Sequence, residues 1–229
     1  MNRALPHGQG QQSSIAASDR LRNRWSGCYA DGVSSPVTTR RDAAGHFHAV
    51  RFYENKASLC RTVAEFLHEG AAADQPGLVI ATPAHRDALL AEMRSRDMDV
   101  EAMVAAGDLL LLDAREVLKA FMVDGMPDAH LFNLHVPPAI ERLCRARPDC
   151  TVRAYGEMVD VLWQDGNPSA AIRLELLWNQ LAMSHSFSLL CGYALGHFYK
   201  DVGMREVCAQ HSHVIPAPAS SDPFHVAAN

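Results

Sequence analysis

The sequence contains no apolar run near the roughly 18 residues that a membrane-spanning helix requires. Its first twelve residues also lack the apolar core of a secretory signal, so we expect a cytoplasmic protein with no membrane partner. Basic residues are not in excess: the net charge is −5, and Lys and Arg are scattered. This acidic balance makes nucleic acid an unexpected partner.

Motifs for phosphate binding and nucleophilic catalysis are also missing. The sequence contains neither G-x-x-x-x-G-K-[ST] nor G-x-G-x-x-G, and it has no G-x-S-x-G elbow. After the second predicted strand, where a glycine-rich loop would lie, it reads Thr82-Pro-Ala-His85-Arg86. We therefore expect no ATP and no catalysis, while a residual anion site at His85 and Arg86 stays open.

Cysteine and histidine raise the question of metals. The six cysteines are too widely spaced for a disulfide scaffold, and we expect them to be reduced thiols, mostly buried. Twelve histidines are many for 229 residues, which directs attention to metal binding or pH sensing. The cysteines are Cys28, Cys60, Cys144, Cys150, Cys191 and Cys208.

Short apolar segments alternate with amphipathic helical segments about five times between residues 46 and 216. This alternation predicts one α/β domain with a mostly parallel central sheet of about five or more strands and helices on both faces. The polar segments 1–45 and 217–229 are predicted to be a mostly disordered tail and a loose C-terminal tail. The predicted strands are 46–53, 78–82, 109–112, 151–155 and 187–193; the predicted helices are 56–69, 84–96, 99–106, 115–123, 168–184 and 204–210, with others after Asp128, restarting at Pro137-Pro138, and after Glu157.

The segment from Thr151 to Trp163 is the centre of this pattern. A β-favouring start leads through Gly156 into a helix, which places Glu157 at the carboxyl end of the sheet. In open α/β sheets ligands bind at that edge. An acid is also favoured at the N-terminus of a helix, so Glu157 is either a site residue or the cap of the helix that follows.

Aromatic residues fall near the predicted strand ends and on adjacent helices. They can line a small, mostly apolar pocket with Glu54, Glu157 and His48 as its polar groups, although most aromatics at such spacing belong to the core. The set is Phe52, Tyr53, Tyr155, Trp163, Trp178, Phe187 and Tyr193.

A compact Cys208-x-x-His211-x-His213 string suits a transition metal such as zinc, iron or copper. Cys208 and His211 share one helix face, and a fourth ligand would come from a distant segment. The candidates are His48, Cys191 and His197. The alternative is a core cysteine beside histidines that hydrogen-bond locally at a helix end.

Eight strings, in order along residues 46–216, resemble the MEDS family (methanogen/methylotroph, DcmR sensory), found in the dichloromethane-responsive repressor and in many bacterial signalling proteins. They are His48–Glu54, Phe66–Gly70, Leu78–His85, Phe121–Asp128, Arg153–Val159, Leu174–Asn179, Phe187–Tyr193 and Cys208–Val214. The resemblance implies a RecA/KaiC-like domain that has lost its phosphate-binding loop and senses simple hydrocarbon derivatives or other small molecules.

By position, the family motifs imply roles for nine residues: His48, Tyr53, Glu54, His85, Glu157, Trp178, Cys208, His211 and His213. The first six of these, together with Tyr155 from the aromatic set, are the seven predicted ligand-binding residues. The last three are the predicted metal ligands.

We therefore predict a non-catalytic sensory module of bacterial signal transduction that binds a small molecule. Family members often carry a histidine kinase or DNA-binding domain, whereas this sequence has a polar tail. We therefore expect the output to pass through a separate partner, a kinase or regulator, or through the tail itself. One alternative is a metal-binding redox sensor or metal-dependent enzyme that uses Cys208, His211 and His213. Another is a transcriptional regulator, against which the acidic balance argues.

Overall fold

The computed structural model describes residues 47–145, 147–198 and 203–215, so the predicted tails lie outside the described residues. The strands are β1 (Phe47–Tyr53), β2 (Gly77–Ala81), β3 (Leu109–Asp113), β4 (Met122–Val123), β5 (Met126–Pro127), β6 (Val152–Gly156), β7 (Phe187–Ala194) and β8 (His213–Ile215). The helices are α1 (Lys56–Ala72), α2 (Pro83–Arg94), α3 (Val100–Ala106), α4 (Ala114–Phe121), α5 (Ala129–His135), α6 (Pro137–Cys144), α7 (Met158–Gln164), α8 (Pro168–Leu181) and α9 (Met204–Ala209), with a 3-10 turn at Leu195–Phe198. None of these helices is both long and apolar enough to cross a membrane.

Six strands form one parallel sheet in the order β3-β2-β6-β7-β1-β8. Strands β1, β2 and β6 are buried at every position, as expected of strands covered on both faces, and β2 is continuously apolar. The prediction of an α/β domain with a mostly parallel sheet is confirmed. Because all six strands run the same way, their carboxyl ends share one edge, which we call the carboxyl edge.

Helices cover the two faces with separate apolar contacts. On one face, α1 and α2 pack Phe66, Leu89 and Met93 against Val79 and Leu190 of the sheet. On the other face, the Trp178 ring of α8 makes edge contacts with two rings, that of Phe132 at 5.5 Å and that of Phe187 at 5.7 Å between centroids. Trp178 is 1% exposed and belongs to this core.

The predicted end of α1 at Gly70 is wrong, since the helix continues to Ala72. Gly70 is buried, and a Cβ atom on it would lie 2.3 Å from Cγ of Arg153. The glycine therefore admits the Arg153 side chain, which crosses the helix there, and it does not act as a helix stop.

Two further elements differ from the prediction. The predicted helix 115–123 ends at Phe121, and β4 pairs with β5 around Asp124-Gly125, whose φ angles of 48° and 78° form a tight hairpin turn. Asp-Gly is a strong hairpin signal. The helical spacing of apolar residues just before it led to the prediction of a longer helix instead. The three-residue strand β8 was not predicted and pairs with β1 at the end of the sheet.

The expectation that all cysteines are thiols is wrong for Cys144 and Cys150, which form a disulfide with Cα atoms 5.4 Å apart. Cys144 ends α6 and Cys150 precedes β6, so a short local link is possible without a disulfide scaffold. Cys60 and Cys191 are buried thiols as expected, and Cys208 is a partly buried thiol. Cys28 lies outside the described residues.

Candidate functional site

Buried polar side chains gather in two places. The carboxyl-edge cluster consists of Tyr53, His85, Tyr155, Glu157, Asp160 and His197. The interior cluster consists of His48, Glu175, Asn179, Cys191, Tyr193 and His211. Both contain a buried carboxylate from a helix, imidazoles and a tyrosine, but they lie at different depths in the domain.

Glu157 is placed at the carboxyl edge by the chain passing from β6 into α7. Its backbone N–H donates to the carbonyl of Ile80 at 3.1 Å, which extends the pairing of β6 with β2 by one residue. Glu157 is the N-cap of α7, but its side chain accepts no hydrogen bond from that helix. Glu157 therefore has the N-cap position that one of the two interpretations gave it, while its carboxylate bonds elsewhere.

The carboxylate of Glu157 instead reaches the N-terminus of α2. Oε1 accepts the backbone N–H of Thr82, and Oε2 lies 2.6 Å from Nδ1 of His85. The hydroxyl of Tyr155 also donates to Oε2, at 3.2 Å. The hydrogen bond to Glu157 raises the pKa of His85 above its usual value. An internal carboxylate thus occupies the helix N-terminus at which nucleotide-binding folds hold phosphate.

Asp160, one turn further along α7, is the second buried acid of this cluster. It accepts hydrogen bonds at 2.8 Å from the Tyr53 hydroxyl, the Ala194 backbone N–H and the Gln164 amide, and Nε2 of His197 lies 3.2 Å away. Burial raises the pKa of Asp160 above its usual value, despite these hydrogen bonds. Burial and the charge of Asp160 likewise raise the pKa of Tyr53.

Solvent reaches this cluster through its imidazoles. The side chains of His85 and His197 are 20% and 24% exposed, whereas those of Glu157 and Asp160 are 3% and 2% exposed. Cys60 lies beside His85, but burial raises the pKa of this thiol and so disfavours the nucleophilic thiolate. The arrangement therefore exposes two imidazoles to solvent, each beside a buried acid.

The interior cluster brings four potential metal ligands together on the face of the sheet that α8 covers. Ligand atoms of His48, Glu175, Cys191 and His211 all lie within 4.8 Å of one another. Nε2 of His48 is 3.2 Å from Oε2 of Glu175 and 3.4 Å from Sγ of Cys191. Nε2 of His211 is 3.3 Å from Oε1 of Glu175. The four ligand atoms are therefore close enough to one another to bind one metal ion together.

Outer hydrogen bonds fix both imidazoles of the interior cluster. Nδ1 of His211 lies 2.7 Å from the carbonyl of Val207, which can only accept, so Nδ1 carries a proton. Nδ1 of His48 lies 2.8 Å from Oδ1 of Asn179, whose amide nitrogen donates to the carbonyl of Gln210 at 3.0 Å. Nδ1 of His48 is therefore also a donor, and both Nε2 atoms face Glu175.

The hydrogen-bonding groups around Glu175 complete this cluster. The Tyr193 hydroxyl donates to Oε1 at 2.9 Å, and the Cys191 thiol lies 3.5 Å from Oε2. Burial first, and then the charge of Glu175, raise the pKa of Cys191 well above its usual value. Burial also lowers the pKa of His48, with a further contribution from His211.

The structure brings four of the seven predicted ligand-binding residues into the carboxyl-edge cluster: Tyr53, His85, Tyr155 and Glu157. Glu54 follows β1 at the same edge but is exposed. Trp178 lies in the core, and His48 belongs to the interior cluster. Sequence reasoning missed Asp160, although its position three residues after Glu157 on one helix was a usable signal.

Of the three predicted metal ligands, His211 joins the interior cluster with His48 and Cys191, two of the residues considered for a fourth ligand. Cys208 and His213 are not in this group. The His213 ring packs on Phe47, with centroids 4.8 Å apart. Sequence reasoning also missed Glu175, although it is the one acid among the apolar residues on the buried face of α8.

Comparison with known families adds one result. A family model described as MEDS, the methanogen/methylotroph, DcmR sensory domain, matches residues 47–212. All twelve members of the two clusters fall inside this range. No curated protein matches the chain.

Proposed function

The chain belongs to the MEDS family of sensory domains, and we propose that it is a non-catalytic receptor that binds a small molecule at the carboxyl-edge cluster. Binding would be signalled to a separate protein partner, a kinase or a regulator. The membership of the family supports the sensory role, and the chemistry of the cluster supports the location.

The observation that carries this proposal is the position of the Glu157 carboxylate. It accepts the Thr82 N–H and pairs with His85 at the start of α2. A phosphate placed there would meet the buried negative charge of Glu157, which disfavours a nucleotide. Since ligands of parallel α/β sheets bind outside the carboxyl ends of the strands, the same location favours an uncharged ligand with hydrogen-bonding groups.

The ligand we propose is a small neutral derivative of a hydrocarbon, such as a short alcohol, ketone or haloalkane. The partly exposed His85 and His197 rings provide polar contacts at the surface of the cluster. The Tyr53 ring packs edge-on against His85 with centroids 5.9 Å apart, which adds an apolar surface beside them. A molecule of a few heavy atoms can use both kinds of contact.

The proposed route of the signal is helix α2. Its first turn holds His85 and its buried face packs Leu89 and Met93 into the core. A ligand that replaces or strengthens the contact between His85 and Glu157 would shift the balance between two positions of this helix. A partner would then recognise the altered surface formed by α1 and α2.

Binding to the full chain can be tested by native mass spectrometry and by calorimetric titration with a panel of short alcohols, ketones and haloalkanes. We expect at least one panel compound to bind. The substitution Glu157→Gln should lower its affinity by about tenfold or more, which corresponds to about 1.4 kcal/mol of binding free energy. The matched control is Glu116→Gln, an acid on α4 that is 70% exposed. Turnover of a panel compound or of ATP, or binding that is unchanged by both Glu157→Gln and His85→Ala, would refute the proposal.

A further inference from the structure

We propose that the interior cluster is a metal site in which His48, Glu175, Cys191 and His211 bind one divalent transition-metal ion, Zn²⁺ being the ion that these donors fit best. This site is separate from the proposed receptor site. Its ligand set also differs from the Cys208, His211 and His213 set predicted from spacing.

Three of the separations between donor atoms are close to those of tetrahedral coordination, and all four donors lie within 4.8 Å of one another. Ligand atoms about 2.0–2.3 Å from a tetrahedral ion lie roughly 3.3–3.8 Å from one another. The measured separations of Nε2 of His48 from the carboxylate and the thiol are 3.2 and 3.4 Å, and Nε2 of His211 lies 3.3 Å from the same carboxylate. An ion would therefore need only small movements of side chains that already converge.

The orientation of the imidazoles calls for a positive species between them and Glu175. Both Nδ1 atoms are donors, so in the neutral rings the Nε2 lone pairs of His48 and His211 face carboxylate oxygens. Acceptors would then oppose acceptors inside the protein. Nε2 of His211 is buried and makes no hydrogen bond among the residues described. Either protons or a metal ion must occupy these positions.

Protonation of both rings is the less favourable way to fill these positions. The ring centroids of His48 and His211 are 4.2 Å apart, so two imidazolium ions would repel at close range. Together with one carboxylate they would leave a net charge of +1 in the interior. A Zn²⁺ ion with the thiolate of Cys191, the carboxylate of Glu175 and two neutral imidazoles has no net charge. Because burial of uncompensated charge is costly, the neutral metal complex is favoured over the doubly protonated cluster.

The donor types select the class of metal. Imidazole and thiolate favour zinc and related first-row ions over Mg²⁺ or Ca²⁺, which prefer oxygen ligands. Binding exchanges the proton of the Cys191 thiol for the ion, and this proton is released to solvent. The outer hydrogen bonds from Nδ1 to Asn179 and to the Val207 carbonyl are of the kind that orient metal-bound histidines.

The ion would join four segments that are distant in sequence. His48 lies on β1, Glu175 on α8 and Cys191 on β7, while His211 lies between α9 and β8. Since His211 lies two residues before the short strand β8, metal binding would fix α9 and β8 against the sheet. The expected role is structural, because all four side chains are buried and the donors complete a tetrahedral set.

The test uses the full chain purified without chelators. We expect native mass spectrometry and elemental analysis to find about one zinc per chain. After exchange into Co²⁺, the spectrum should show a thiolate-to-cobalt charge-transfer band in the near ultraviolet and intense tetrahedral d–d bands. Cys191→Ser should abolish the charge-transfer band, whereas the matched control Cys208→Ser should keep it.

His211→Gln provides a second variant if Cys191→Ser fails to fold, and it should lower the affinity for Co²⁺ at least tenfold. A folded wild-type chain that retains no metal and gives no thiolate band with Co²⁺ would overturn the proposal. A band that survives in Cys191→Ser and disappears in Cys208→Ser would also overturn it, since the site would then lie at Cys208. Neither outcome would bear on small-molecule binding at Glu157.

Discussion

The carboxyl-edge and interior clusters are built from the same kinds of side chains but differ in their access to water. At the carboxyl edge, Glu157 pairs with His85, whose side chain is 20% exposed. In the interior, Glu175 lies against His48 and His211, whose side chains are 7% and 0% exposed. Access to solvent therefore separates a cluster whose imidazole can be reached from outside from one whose imidazoles are enclosed by the protein.

The electrostatics of the two clusters also differ. At the carboxyl edge, the hydrogen bond from Glu157 raises the pKa of His85. In the interior, burial and the neighbouring His211 lower the pKa of His48. Burial alone would raise the pKa of Glu175, but the two histidines outweigh it and hold this pKa below its usual value. The pKa of His85 is therefore shifted upward and that of His48 downward.

The largest effect should come from the interior cluster. Glu175→Ala removes the acceptor shared by Tyr193 and Cys191 and the carboxylate that both imidazoles face, and breaking a buried charged network of this kind typically costs about 3–5 kcal/mol. Urea unfolding of the variant and wild type would measure the loss. Glu116→Ala on the exposed surface is the control and should change the free energy of unfolding by less than about 0.5 kcal/mol. A loss below 1 kcal/mol for Glu175→Ala would mean that the interior cluster does not support the fold.

A smaller loss is expected at the carboxyl edge. Glu157→Gln keeps the shape but weakens hydrogen bonds to a charged acceptor, with an expected cost of about 1–3 kcal/mol. The same unfolding experiment gives the value. The comparison fails if this loss equals or exceeds that of Glu175→Ala, because the receptor cluster would then be the main structural element.

The pH dependence of His85 sharpens the electrostatic difference. A pKa raised in the folded state contributes stability that is fully present below the unfolded value of about 6.5 and is lost as the pH rises through the folded value. Proton NMR titration should therefore place the pKa of His85 above that of an unperturbed histidine. Glu157→Gln should bring it back towards about 6.5. A normal or lowered pKa in the wild type would contradict the pairing.

The smallest effect is predicted at Glu54, an acid at the same sheet edge as Glu157 but exposed. Glu54→Gln should alter stability by less than about 0.5 kcal/mol. Calorimetric titration should show unchanged affinity for any ligand that Glu157→Gln weakens. A loss of affinity in the Glu54 variant would restore the role that the family motif implies for it and would enlarge the receptor site.

Local patterns in the sequence predict most of the fold. Continuous apolar strands identify the parallel sheet, Asp99 caps α3, and Gly107 ends it with a φ of 78°. Asp128 caps α5, and Pro137 opens α6 after the predicted restart. These features depend on neighbours in sequence. Strand β8 could not be found this way, because three residues carry too little periodicity and its pairing with β1 is set by the whole chain.

The candidate sites were harder to predict because they depend on long-range geometry. Gly156 and the preceding strand place Glu157 at the carboxyl edge, but the reach of its side chain to Thr82 follows from the pairing of β6 with β2. The convergence of His48 and His211 depends on β8 lying beside β1 in the sheet. Spacing within Cys208–His213 could not reveal that partners from other segments surround His211.

The division of roles between the two clusters can be tested by one NMR experiment on the full chain. Imidazole proton–nitrogen correlations would be followed while short alcohols, ketones and haloalkanes are added, and then while Zn²⁺ is added to chelator-treated protein. The account predicts that a binding small molecule moves the signals of His85 and His197, and that Zn²⁺ moves those of His48 and His211. Small molecules that move the interior signals and leave His85 unchanged would contradict it.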